Sequence, residues 1–190
     1  MATWKMDVSH SDVKFKVRHL VISTVTGHFT NFSATVETAK DDFTDAKINF
    51  EADAASIDTR DERRDGHLKS PDFFDVATYP KLTFVSKSLT KKSGDKYELT
   101  GNLTIRDVTK EVKLDVVYNG SIKGFGGVDT AGFEITGTIN RHEFGLKFSM
   151  TTEAGGVVLG DDVKIEIDAE FNKQQAATAS ADSKETAAAN

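Results

Sequence analysis

The chain of 190 residues contains no cysteine, which excludes disulfides, thiolate catalysis and cysteine-ligated zinc or iron–sulfur sites. Tryptophan occurs once and tyrosine three times, against thirteen phenylalanines, so the aromatic set suits an interior with few buried hydroxyls to satisfy. Proline occurs twice. No apolar run approaches the ~20 residues that span a bilayer. The first residues, MATWKMDVSH, lack a basic stretch followed by an apolar one, so no secretory signal is visible. Basic residues are outnumbered by acidic ones, for a net charge of -6, which disfavours nucleic acid as a partner. The expectation is a soluble protein, cytoplasmic as written, and periplasmic or secreted if a signal has been removed.

What is present is period-two alternation, the mark of strands with one buried face. Val13, Phe15 and Val17 alternate with Lys14, Lys16 and Arg18. Further inner rows are Phe32, Ala34 and Val36, then Ile48, Phe50, Ala52 and Ala54, then Leu82 and Phe84. Residues 96–118 read as a hairpin, with Leu99, Leu103 and Ile105 on one face and Val112, Leu114 and Val116 on the return. A glycine-rich stretch, 119–132, reads as a long flexible connection before Phe133, Ile135, Gly137 and Ile139. Val163, Ile165, Ile167, Ala169 and Phe171 form the last row.

About eight such segments predict an all-β fold. Long strands with internal glycines favour a curved, closed antiparallel barrel over a flat sandwich. Gly27 is expected to mark a bulge or bend. The small inner residues Ala34, Ala52, Ala54, Gly101 and Gly137 leave room inside, though the pattern leaves open whether bulky neighbours fill it. The domain is read as 1–173. Residues 174–190, without a large apolar side chain, read as a disordered tail.

The alternation breaks once, between Asp61 and Phe84. There a short helix is expected over about 60–75, capped by Asp58 or Thr59 and stopped before Pro71. Leu68, Phe73 and Phe74 would face inward, and the segment would cover one end of the barrel.

Motifs for catalysis are weak. His142-Glu143 begins like a zinc-protease motif but lacks the second histidine four residues on. The five histidines form no close sequence pair, and Asp72 and Asp75 fit turn and capping roles. GSIKGFGG precedes a strand, whereas a phosphate cradle needs a following helix. No catalytic or metal site is assigned.

The segments WKMDVSHSDVKFKVRHLVISTVTGHF, SIDTRDERRDGHLKSPDFFDVATYPKLTF, LTGNLTIRDVTKEVKL, INRHEFGL and VLGDDVKIEIDAEF, in this order, resemble the YceI family of polyisoprenoid-binding, lipocalin-like proteins. The likeness runs from Trp4 to about Phe171. It implies a lipocalin-like barrel with an elongated apolar tunnel for a long isoprenoid or acyl chain, such as a quinone or polyprenyl phosphate. No cofactor is required beyond such a bound lipid, and a homodimer is compatible with the family. One departure is Asp107, where the family pattern carries glycine.

The expected lining is Phe15, Val17, Phe32, Phe50, Leu82, Phe84, Leu103, Ile105, Phe133 and Ile135, joined by Leu68, Phe73 and Phe74 from the covering segment. Arg60, Arg63 and Arg141 are the expected mouth residues, facing a phosphate or quinone oxygen. Ordinary core packing, or a solvated surface charge, is the competing account of each. The leading functional expectation is non-catalytic carriage or sequestration. A lipid-modifying enzyme using a histidine such as His19, or a stress-response interaction protein with a filled barrel, are the alternatives.

Overall fold

The computed structural model describes residues 1–151, 153, 156 and 158–175. Eleven strands and one α-helix follow in chain order: β1 (Ala2–Met6), β2 (Asp12–His19), β3 (Ser23–Phe29), β4 (Phe32–Thr38), β5 (Lys47–Asp53), β6 (Ile57–Asp58), α1 (Glu62–Lys69), β7 (Lys81–Ser93), β8 (Lys96–Ile105), β9 (Val108–Lys123), β10 (Asp129–Asn140) and β11 (Leu159–Lys173). Alternation in the sequence becomes alternation in burial, because successive Cβ atoms point to opposite faces of a strand. In β8, Tyr97, Leu99, Gly101, Leu103 and Ile105 are buried while their neighbours are not.

All pairings are antiparallel, and β11 closes the sheet. One edge of β11 pairs with β10 along its length. Its other edge is shared: Leu159–Asp168 pairs with β2, and Phe171–Lys173 pairs with β1. The strands β1 and β2 are therefore two halves of one stave, interrupted by a single 3-10 turn at Val8–His10. Likewise β3 pairs with β2 and β4 with β1, so β3 and β4 form the next stave, bent at Thr30 and Asn31. Counted as staves, the result is the closed eight-stranded antiparallel barrel.

The antiparallel order sorts the connections to two ends. The helical end carries the β2–β3 turn, residues 54–80 with α1, the β8–β9 turn and residues 141–148. The opposite end carries the start of β1, residues 39–46, Gly94-Asp95, residues 124–128 and the end of β11.

Several local expectations are corrected. Gly27 is no bulge: β2 and β3 pair in continuous register through Phe15 opposite Gly27. The glycine-rich stretch is mostly strand, since β9 runs to Lys123 and β10 begins at Asp129, leaving a connection of only 124–128. Gly120, at φ +103, coincides with the shift in register between Gly132 and Phe133, so the glycines serve a bulge within paired strands. At the β8–β9 turn Arg106 takes the left-handed conformation, φ +56, and Asp107 does not. Asp at 107 therefore carries no strain there.

Helix α1 starts later than expected. Its cap is Asp61, whose carboxylate accepts the Arg64 N–H at 3.0 Å. That hydrogen bond holds the Asp61 carboxyl below the usual carboxylate range. Asp58 instead accepts from the Arg60 N–H, and Thr59 donates its N–H and hydroxyl to Asp65. Ser70 ends the helix in extended conformation, as a residue before proline must. At the C-terminal boundary, β11 extends to Lys173 and the Gln174 N–H donates to Thr3 at 2.8 Å. The remainder of the expected tail, 176–190, lies outside the described residues.

Candidate functional site

The barrel encloses a cavity of about 230 Å³. It extends from Arg141, Leu146 and Leu159 at the helical end to Phe43, Ala46 and Phe171 at the opposite end, and its exposed wall is apolar. The inner rows supply that wall because every second residue of each stave points into it.

Three glycines shape the space in a way the sequence did not suggest. A methyl group at Gly101 would lie 2.3 Å from the Phe84 ring, and one at Gly27 only 2.2 Å from the Phe15 ring. At Gly137 it would meet Leu114 Cδ2 at 2.3 Å. These positions are not vacancies, as the small inner residues had suggested. Each is a seat over which a large neighbour lies, so the side chain hugs the wall and does not project into the lumen. Hollowness depends on where the large residues lie as much as on the small ones.

The structure brings most of the expected lining together. Phe15, Val17, Phe50, Leu82, Phe84, Leu103, Ile105, Phe133 and Ile135 all border the cavity, as do Leu68, Phe73 and Phe74. Phe32 does not. It is buried on the row of Ala34 and Val36, but at the bend after Asn31, where it packs in the core beside the space.

The arginines divide. Arg60 and Arg63 are exposed and off the cavity wall, because the polar face of the helical segment turns them to solvent. Arg141 does reach the wall, yet it is 3% exposed and its donors are engaged. Nε donates to the Gly160 carbonyl at 2.9 Å, and Nη1 to those of Leu146 and Phe148 at 2.6 and 2.7 Å. Nη2 reaches the Leu159 carbonyl at 3.4 Å and the Asp161 carboxylate at 3.6 Å. Burial pushes the Arg141 pKa down, and Asp161 opposes that shift. This guanidinium stitches residues 146–148 to the start of β11; it is no free head-group partner.

Rings close the helical end. Phe73 is 6% exposed and meets Phe148 and His67, each at 5.1 Å between centroids. Phe74 packs edge-on against Phe29, which in turn meets Phe15 inside the barrel. Helix α1 itself buries no residue. It acts as a polar brace: Arg64 Nε donates to the Thr59 hydroxyl and Nη2 to the Thr59 carbonyl, both at 2.7 Å. His67 and Asp72 are joined at 2.9 Å across the turn at Pro71.

Sequence reasoning missed several wall residues, among them Phe29, Leu89, Leu146 and, least expected, Phe43. It lies in the acidic loop DDFTD, outside any alternation, yet it is 3% exposed. Trp4, Tyr118 and Phe133 surround it at 5.2–5.5 Å between ring centroids. A lone phenylalanine in a polar loop was the available signal.

The remaining polar clusters among the described residues are ion pairs and turn contacts. Histidines pair with aspartates as His10–Asp7, His28–Asp12, His67–Asp72 and His142–Asp161. Asp7, His10 and Glu170 bring ligand atoms within 4.8 Å, but Asp7 is already bonded by Ser9 and Asn172. His19, the residue of the catalytic alternative, is not on the cavity wall.

A closed antiparallel barrel around an apolar cavity defines the lipocalin-like class of fold. The sequence narrows this further: residues 4–171 match the YceI-like domain, and the chain belongs to that family. A UPF0312 protein of Staphylococcus aureus strain USA300 is 40% identical over 173 residues, covering 90% of this chain and 98% of the relative. The crystal structure of Burkholderia cenocepacia BcnA is similar with a TM-score of 0.76 and 25% identity, covering 87% of this chain and 98% of that one. The Campylobacter jejuni YCEI protein gives a TM-score of 0.72 and 34% identity, with coverage of 83% and 90%. Among the described residues, no helix is long and apolar enough to cross a membrane.

Proposed function

We propose that the chain binds, and carries or sequesters, a long-chain isoprenoid lipid of quinone or polyprenyl phosphate type, or a similar amphiphile, without chemically changing it. The observation that carries this reading is a cavity running between the two ends of the barrel with an apolar exposed wall. A hydrocarbon tail needs no hydrogen bonds, and each buried methylene contributes about 0.8 kcal/mol. A domain of Saccharophagus degradans described as polyisoprenoid-binding has this fold, with a TM-score of 0.66 over 90% of this chain and 16% identity.

The catalytic alternative requires a polar pair facing the ligand. Among the described wall residues the charged side chains are Lys14 and Arg141, and Lys14 Nζ is bound to Asp168 at 2.9 Å outside the barrel. With Arg141 spent on carbonyls, neither is available for acid–base work.

Native mass spectrometry of protein purified from cells, before and after adding an isoprenoid quinone, tests the reading. Retained lipid is the expected result. Gly27→Ala, which would drive the Phe15 ring into the lumen, should lose the lipid while keeping the barrel's circular dichroism. Protein that stays lipid-free and ignores the added quinone would sink the proposal.

A further inference from the structure

The turn between β2 and β3 breaks two rules at once. It has three residues, Leu20, Val21 and Ile22, between the paired His19 and Ser23. Hairpin turns that need the left-handed conformation use glycine, asparagine or aspartate. Here Leu20 takes φ +52 and Val21 φ +64. A β-branched residue with positive φ is an outlier, because its Cβ substituents crowd the backbone.

The same residues face solvent. Val21 is 69% exposed and Ile22 84%. Single exposed apolar side chains, such as Val85 or Ile122 on the strands, are ordinary. Three in succession at the tip of a hairpin are not, and burial does not offset the strain of holding them there. Met150, also exposed, belongs to the same surface: the Leu20 N–H donates to the Val158 carbonyl at 2.9 Å, and the Val158 N–H to that of Met150 at 3.0 Å.

The size and charge of this tip indicate what it meets. Four side chains fall far short of the 20–30 residues a side of a stable protein interface, so a second copy of the chain is a poor fit. Insertion into lipid needs only a few apolar side chains on a projecting element. The charged residues of 18–24, 147–153 and 158–162 are Arg18, Lys147, Glu153, Asp161 and Asp162. Asp161 is engaged by His142 and Arg141, and the other four cancel. A balanced rim suits a zwitterionic surface and gives no net pull toward an anionic one.

We propose that the β2–β3 turn docks the helical end of the barrel on a zwitterionic lipid bilayer, with Val21 and Ile22 entering the boundary between head groups and chains. Its purpose rests on the lipid-binding reading, since a bilayer is where an amphiphile is taken up or released. The tip is well placed for that exchange. Leu159 pairs with His19 at the base of the turn, and Leu159 and Val17 both line the cavity.

The chain has no cysteine, so one introduced thiol can carry a fluorophore whose emission rises when it leaves water. Ser23→Cys places it beside the tip, and Asp41→Cys places it at the opposite end. With phosphatidylcholine vesicles, emission should rise severalfold at 23 and stay flat at 41, and high salt should not change either. Val21→Gly with Ile22→Thr removes the two most exposed side chains and the β-branched strain. It should lose most of the rise at 23 while its urea midpoint is no lower than that of the parent. Ile22→Asp, which leaves position 21 as it is, should lose the rise as well. A label at 23 that stays in water, equal rises at both ends, or variants that dock like the parent would each overturn the proposal. A rise abolished by high salt would overturn docking through apolar side chains. Sedimentation showing a dimer of the parent, dissolved by Ile22→Asp without vesicles, would assign the turn to a second copy instead. Native mass spectrometry separates the two readings. Retained lipid without docking overturns the tip alone, whereas a docking chain that never retains lipid overturns lipid binding alone.

Discussion

The two ends of the barrel are closed by different means. At the helical end, backbone and polar groups do the holding: Asp61 caps α1, Thr59 ties it to Arg64 and Asp65, and Arg141 gathers four carbonyls. At the opposite end a single phenylalanine is wedged among three rings from a strained loop position. Directional hydrogen bonds specify one arrangement and lose much when displaced, whereas ring contacts are less directional and can re-form in a shifted geometry. The helical end combines ring packing with a buried guanidinium that gathers carbonyls, whereas the opposite end rests its one wall ring on other rings and on a strained backbone.

The largest expected effect tests the helical end. Arg141→Leu strips a donor from one buried and three part-buried carbonyls and should cost about 1–3 kcal/mol in urea unfolding. A loss under about 1 kcal/mol, the range of an exposed pair, would mean that the guanidinium does not hold that end. Next, replacing Phe73 and Phe74 together by alanine should shorten lipid retention severalfold in native mass spectrometry, with a smaller proportional drop in barrel stability. Unchanged retention would make the helical segment a plug with no part in holding the ligand.

A smaller effect addresses the other end. At most buried positions glycine is worse than alanine, because it adds backbone freedom to the unfolded chain. At position 43 the order should invert: Phe43→Gly should be more stable than Phe43→Ala by about 1 kcal/mol, through relief of the left-handed cost. Equal stabilities would remove strain from the account of that end.

The smallest concerns neither end. Asp7 lies between β1 and β2, and hydrogen bonds from Ser9, then His10, lower its pKa to about 2. A carboxyl depressed on folding contributes stability above its unfolded pKa and loses it as pH falls through the folded one. Acid titration from about pH 4 to 2 should therefore weaken the wild-type chain slightly more than Asp7→Asn. Coincident curves would show that this turn does not register the charge.

What could be read beforehand followed from the physics of each feature. The inner rows were legible because strand periodicity is local: Phe15 and Val17 declare their face by Lys14, Lys16 and Arg18 between them. Arginine roles were not legible. Arg60, Arg63 and Arg141 look alike in sequence, and only the fold shows that Arg141 is surrounded by carbonyls from residues 146–160 while the other two meet water. The same holds for Gly101, whose meaning depends on Phe84 two strand positions away on a different chain segment. Phe43 escaped because a polar loop carries no period.

Strand β11 has a consequence for how the molecule is made. It is the last strand among the described residues and the partner of β1, β2 and β10 at once. Contacts this distant in sequence form late, since closing so long a loop is entropically costly. During synthesis the barrel cannot complete itself until residues 159–173 have left the ribosome, and until then β2 and β10 each present an unpaired edge. A sheet formed without β11 would leave its hydrocarbon-lined face uncovered, the condition under which self-association competes with closure.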